Sequence, residues 1–104
     1  MLRICEDMKT HRVKIFKKAA GILKIIAHPA RIEIIDVLAR RGTVSVGELE
    51  KTLGISQSMT SQHLAALRHA GVIEFEKEGN RCLYRLRNKN VLKLLKCIEE
   101  SCSG

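Results

Sequence analysis

The chain has 104 residues, with 19 Lys plus Arg against 11 Asp plus Glu and a formal net charge of +8 at pH 7. That length holds one core, because two would bring each half near the ~40-residue floor for unaided folding, and the positive surplus selects polyanions, nucleic acid before anionic membrane surface. A composition of 45% hydrophobic and 29% charged residues excludes a disordered chain, and aromatics confined to Phe16, Phe75 and Tyr84 exclude a stacking platform for single strands, which leaves duplex DNA as the favoured polyanion.

Apolar runs are short and broken by Lys24, Glu33 and Asp36, and Glu6 and Asp7 stand where a signal-peptide core would begin, so a cytoplasmic protein with no membrane partner is expected. Four cysteines, Cys5, Cys82, Cys97 and Cys102, are then expected as free thiols, since the cytosol reduces disulfides.

In chain order, residues 9–27 place Val13, Phe16, Ala20, Leu23 and Ala27 at helical spacing, with Ile15, Ala19, Ile22 and Ile26 beside them. So broad an apolar stripe implies two partners, the core and a neighbouring subunit. His28-Pro29 stops this helix and starts the next, over 29–41, because the residue before proline leaves the helical region while proline suits a first turn. Ile32, Ile35, Leu38 and Ala39 are its expected core face. After Gly42, Thr43-Val44 form a short extended piece, and Ser45 with Glu48 fits a capping box that opens a short helix burying Leu49 and Leu53. Gly54-Ile55-Ser56 then combines a glycine stop, an apolar anchor and an N-cap serine in three positions, the tight link of a helix-turn-helix. The following helix, 56–70, turns Thr60, Leu64 and Leu67 inward. Residues 72–77 and 81–87 alternate as strands around Glu78-Gly79-Asn80 and form a hairpin wing, and 88–101 close the chain as a helix with Val91, Leu94, Leu95, Ile98 and Cys102 in register. The fold class is mainly α with a β-hairpin wing, a winged helix-turn-helix in the order α-α-α-α-β-β-α, as one domain spanning 1–104. Its helix-turn-helix occupies 45–70 and its wing 72–87.

A glycine-stopped helix, a tight turn and a second helix with a short polar face allow that second helix to enter the major groove. Gln57 is the base-reading candidate, because a carboxamide pairs bidentately with adenine. Ser56, Ser58, Thr60 and Ser61 are short donors for phosphates or base edges, with Thr60 assigned more to the core, and Gln62, His63 and Arg68 reach further. His63 reads either as a residue near DNA or as core, His28 as a helix cap, and His11 and His69 as surface groups. On the wing, Lys77, Asn80 and Arg81 are candidate backbone contacts, with Arg85 and Arg87 nearby. The plainer alternatives are a solvated helix face and a hairpin edge protected by charge.

The run from Val46 to Ile73, above all Ser61-Gln62-His63-Leu64 followed by Leu67-Arg68 and Ala70-Gly71, resembles the ArsR/SmtB family of bacterial repressors. The resemblance extends to Ala27-His28-Pro29-Ala30-Arg31 and to Gly79-Asn80-Arg81-Cys82-Leu83-Tyr84-Arg85-Leu86, and so covers nearly the whole chain. It implies a homodimer formed through the first and last helices, 9–27 and 88–101, an inverted-repeat operator in double-stranded DNA, and an inducer that lowers affinity. The family's cysteine pair before the turn is absent, with Val44, Val46 and Gly47 nearby, and the last helix has no histidine for the family's zinc site. Some relatives sense oxidants through a cysteine on the second helix and one on the last; the former position here corresponds to Asp36, so only Cys97 matches.

Cys5, Cys97 and Cys102 are the candidate thiol sensor, because packed terminal helices would bring them together and three thiolates suit a soft metal ion or disulfide exchange. The plain readings are a small apolar side chain for Cys97, frayed-end thiols for Cys5 and Cys102 and a wing side chain for Cys82; no cofactor or metal site is otherwise expected. No nucleophile with a base, paired carboxylates or phosphate loop marks an enzyme. The competing function is a winged-helix module for protein interaction whose basic surface is incidental.

Overall fold

The computed structural model describes the backbone of residues 2–103 and the side chains of residues 10–102. The elements run α1 (Leu2–Ile26), α2 (Pro29–Arg41), β1 (Val44–Ser45), α3 (Val46–Leu53), α4 (Gln57–His69), β2 (Ile73–Glu78), β3 (Arg81–Leu86) and α5 (Asn90–Ser103). Pro29 stands in the first turn of α2, where its missing N–H costs nothing, and the His28 ring caps that helix by accepting from the Ala30 amide at 3.2 Å.

The core gathers one face from nearly every element: Ile26 of α1; Ile34, Ile35, Val37 and Leu38 of α2; Val44 of β1; Leu49 of α3; Leu64 and Leu67 of α4; Val72 and Ile73 at the wing root; Val91 of α5. Each fully buried aliphatic side chain contributes about 1.5–3 kcal/mol of apolar transfer. On α2 the buried row is wider than expected and shifted, since Ile34 and Val37 are inside while Ile32 is 39% exposed beside α5. On α5, Leu94 and Ile98 are exposed, so only the Val91 side of that helix is committed to this core.

The wing is a three-stranded antiparallel sheet in the order β1-β3-β2. The extended piece expected at Thr43-Val44 is a strand one residue further on, pairing Val44 with Tyr84 and Ser45 with Leu83. That pairing fastens the entry of α3 to the hairpin. The β2–β3 pairs run from Ile73 with Leu86 to Glu78 with Arg81, leaving Gly79-Asn80 as a two-residue turn. Gly79 has φ of 64°, the positive value at the first turn position that bends a hairpin with the twist of its strands.

The capping box at α3 forms in one direction only. The Ser45 hydroxyl accepts from the Glu48 amide at 3.3 Å, but the Glu48 carboxylate takes up that same hydroxyl, at 3.3 Å, and lies 3.6 Å from Arg81. The carboxylate stands between the Ser45 hydroxyl and the Arg81 guanidinium.

Gly54 ends α3 in the left-handed region, at φ 66° and ψ 29°, with its N–H donating to the Glu50 carbonyl. Nothing lies within 4 Å of where a Cβ would project, so a side chain there meets conformational cost without a clash. Gly54→Ala should therefore destabilise the protein by about 1–2 kcal/mol, read as a lower urea midpoint at unchanged m-value.

Candidate nucleic-acid interface

The interface begins at Ser56. Its hydroxyl accepts from the Met59 amide at 3.1 Å and its carbonyl receives the Thr60 hydroxyl at 2.9 Å, so the first turn of α4 is fixed from both sides. Along α4, Thr60, His63, Leu64 and Leu67 are buried, at the spacing i, i+3, i+4, i+7. The opposite face leaves Gln57, Ser58, Ser61 and Gln62 exposed together near the N-terminal end. These are short or amide side chains on a helix end whose free N–H groups and dipole favour anions, the combination that suits phosphates and base edges in a major groove.

Two candidate residues do not reach this surface: Thr60, assigned more to the core, and His63, read as either near DNA or core. Thr60 is fully buried with its hydroxyl committed to the Ser56 carbonyl, and His63 is 4% exposed. The His63 Nδ1 accepts from the Arg31 guanidinium at 3.1 Å, and its ring lies 4.5 Å from that of His28. Burial first, then His28 and Arg31, hold His63 below its ordinary value, so it stands as a neutral acceptor in the core.

Arg68 is exposed on the last turn of α4, and its guanidinium lies 4.9 Å over the Phe75 ring, which in turn sits 5.6 Å from Tyr84. It joins α4 to the wing root at the end away from Gln57 and is no part of the polar patch. Tyr84 is pushed up by burial and by Cys82, and keeps its proton.

On the wing, Lys77, Asn80 and Arg81 are exposed at or beside the Gly79 turn. Arg85 is not available in the same way, because it bridges Glu74 at 2.9 Å and Glu76 at 3.1 Å across the hairpin. Two of the three wing glutamates thus pair with an arginine further up the strand, while at the tip Arg81 lies 3.6 Å from Glu48 and Lys77 is exposed beside the turn. Sequence reasoning missed the Arg81–Glu48 contact and the role of Arg31, each of which joins residues far apart in the chain.

Cys97 and Cys102 are exposed on α5, Cys82 is half-buried in β3, and all three are free thiols. Cys102 lines the groove between α2 and α5 together with Ile32, Asp36 and Ile98. The Cys5 side chain lies outside the described residues. Among the described residues no group of three or more His, Cys, Asp or Glu could hold a metal ion, and no helix is long and apolar enough to cross a membrane.

A capped polar helix behind a tight turn, braced by a basic hairpin, defines a winged helix-turn-helix DNA-binding domain. The family model described as bacterial regulatory protein, arsR family, matches residues 28–74. The HTH-type transcriptional regulator YgaV of Escherichia coli (strain K12) is 40% identical over 75 residues, which is 72% of this chain and 76% of the relative. The biofilm growth-associated repressor of Agrobacterium fabrum is 40% identical over 81 residues, 78% of this chain and 68% of the relative. Among solved structures, the homodimeric winged helix-turn-helix DNA-binding domain Mb0332 of Mycobacterium bovis superposes with a TM-score of 0.78 at 26% identity, covering 88% of this chain and 84% of that one. The chain belongs to the arsR family of bacterial regulatory proteins, and it is a DNA-binding transcriptional regulator rather than an enzyme.

Replacing Gln57 by Ala should cost about 1–3 kcal/mol on the preferred sequence and little on random duplex. Lys77→Ala should weaken both alike and lower the slope of log affinity against log salt by about 1. Fluorescence anisotropy on the two duplexes across a salt series separates the two effects.

Proposed function

We propose that the protein is a cytoplasmic repressor that binds an inverted-repeat operator as a homodimer, with Gln57, Ser58, Ser61 and Gln62 in the major groove and Lys77, Asn80 and Arg81 on the flanking backbone. The observation that carries this reading is the α4 surface: a helix capped by Ser56 whose polar residues share one exposed face while its other face is locked into the core. Ser56 itself acts as the cap, its hydroxyl committed to Met59.

Dimerisation is supported by apolar side chains left without cover. Val13, Ile15, Phe16 and Leu23 on α1 and Leu94 and Ile98 on α5 are each 39% exposed or more. Large apolar groups concentrated on two helices mark an interface. The Mycobacterium bovis neighbour is described as homodimeric. A two-fold axis between the protomers would set the recognition helices about 34 Å apart, one turn of DNA, which makes the target an inverted repeat. Release from DNA would come through an inducer, and the exposed thiols Cys97 and Cys102 on α5 are the groups a thiol-reactive compound or soft metal ion would reach.

The experiment is binding of reduced protein to duplex from its own upstream region, with and without tetrathionate, beside Cys97→Ser. Specific, salt-sensitive binding to an inverted repeat is expected, lost on treatment and retained by the variant. Binding that ignores the treatment would remove the thiol step and leave the repressor, and salt-insensitive or absent binding would favour a protein-interaction module.

Phe16 is 56% exposed, so Phe16→Glu should not disturb the fold. Sedimentation velocity should show the variant shifted from dimer toward monomer, with operator affinity reduced in parallel.

A further inference from the structure

Arg31 stands where three elements meet. Its Nη1 donates to the Ile25 carbonyl near the end of α1 at 3.0 Å, and its Nε donates to the His63 Nδ1 on α4 at 3.1 Å. Guanidinium has only donors, so this bond exists only while His63 Nδ1 is unprotonated. His63 is immediately followed by Leu64 in the core and immediately preceded by Gln62 on the exposed polar face. Whatever holds His63 therefore holds the part of α4 that presents Ser61 and Gln62.

We propose that Arg31 is a positioning residue for DNA recognition, and that its bond to His63 is a proton-sensitive latch whose protonation releases α4 and lowers DNA affinity. The inference rests on the reading of α4 as the helix that enters the groove.

Protonation turns the His63 Nδ1 from an acceptor into a donor. Two donors then face each other, and a new cation is placed against the Arg31 guanidinium at a part-buried site in which His63 itself is 4% exposed. The groups that face His63 make this worse: Arg31 from α2, and His28 at the cap of α2, whose ring is 4.5 Å away. From α1 the cluster receives the Ile25 carbonyl, which is held by Arg31, and Lys18 and His69 line the neighbouring cleft between α1 and α4. Among the described residues, the charged groups that bear on His63 are His28 and Arg31, with no carboxylate beside them. The site is therefore built to keep His63 neutral and to use it as an acceptor.

The sign follows from proton binding. His63 is held below its ordinary value of 6.5, so the folded chain binds fewer protons here than the unfolded chain. The stability it contributes is complete above the ordinary value and is lost as pH falls through the depressed one. DNA affinity should move with it and weaken toward acid.

The test is operator affinity by fluorescence anisotropy from about pH 8 down to about pH 5, at constant ionic strength, for wild type, His63→Asn and Arg31→Lys. Asparagine places a non-titrating oxygen near the position of Nδ1. Lysine keeps the charge but loses the fork that serves Ile25 and His63 together. Wild-type affinity should fall by up to about tenfold per pH unit for each His63 that protonates, and so by up to about a hundredfold for the dimer. His63→Asn should bind near wild-type strength at neutral pH and lose this fall, and Arg31→Lys should bind more weakly throughout. In the wild type, NMR should show the amides of residues 57–62 shifting at the His63 midpoint. Amides that stay fixed through that midpoint overturn the latch even where a variant fails to fold, as does a His63→Asn profile that superposes on wild type. Absence of specific binding at neutral pH would instead overturn the reading of α4, and the latch with it.

Discussion

Burial of one face of α4 against α2 is the constraint on which the rest of the molecule depends. Leu64 and Leu67 meet Ile34, Ile35 and Leu38 in a common core, and Thr60 and His63 are admitted to the same face because each has a partner for its polar atom. Once that face is inside, helical geometry leaves Gln57, Ser58, Ser61 and Gln62 outside as a set. The DNA-reading surface is thus the complement of the packing surface. Among the described residues no buried side-chain polar atom lacks a partner, so the polar members of the core do not undermine it.

Connections from the wing converge on the same helix-turn-helix. Pairing of Val44 with Tyr84 ties the hairpin to the entrance of α3, Arg81 lies against Glu48 in the first turn of that helix, and Arg68 lies over Phe75 at the far end of α4. The exposed ion pair is worth little in free energy, about 0–1 kcal/mol. The backbone pairing of β1 with β3, rather than this ion pair, fixes the hairpin on the side of α3.

The formal charge of +8 is unevenly available. Arg40 is paired with Asp36 on α2, and Arg85 with Glu74 and Glu76 on the wing. Lys77 and the turn residues beside it remain exposed at the tip of the hairpin. Counting charges along the strands makes the wing look diluted by glutamates; folded, those glutamates are spent mostly on one arginine at mid-strand. Alternation puts Glu74, Glu76 and their cross-strand neighbour Arg85 on a common face, and a linear count cannot show that.

Local chemistry by itself determined the element order, the His28 and Ser56 caps, the glycine stop at Gly54 and the hairpin turn, because each depends on residues within a few positions of one another. The resemblance around Ser61-Gln62-His63-Leu64 pointed correctly to the family. The placement of His63, read from the sequence as either near DNA or core, was legible in principle, since Thr60, His63, Leu64 and Leu67 follow the buried period. Tertiary structure alone decided what His63 does there and that the Glu48 carboxylate lies beside Arg81 instead of closing its capping box. Each of these depends on a partner brought from a distant segment by burial of the core, and side-chain hydrogen bonds and ion pairs across such distances have no periodicity along the chain from which they could be read.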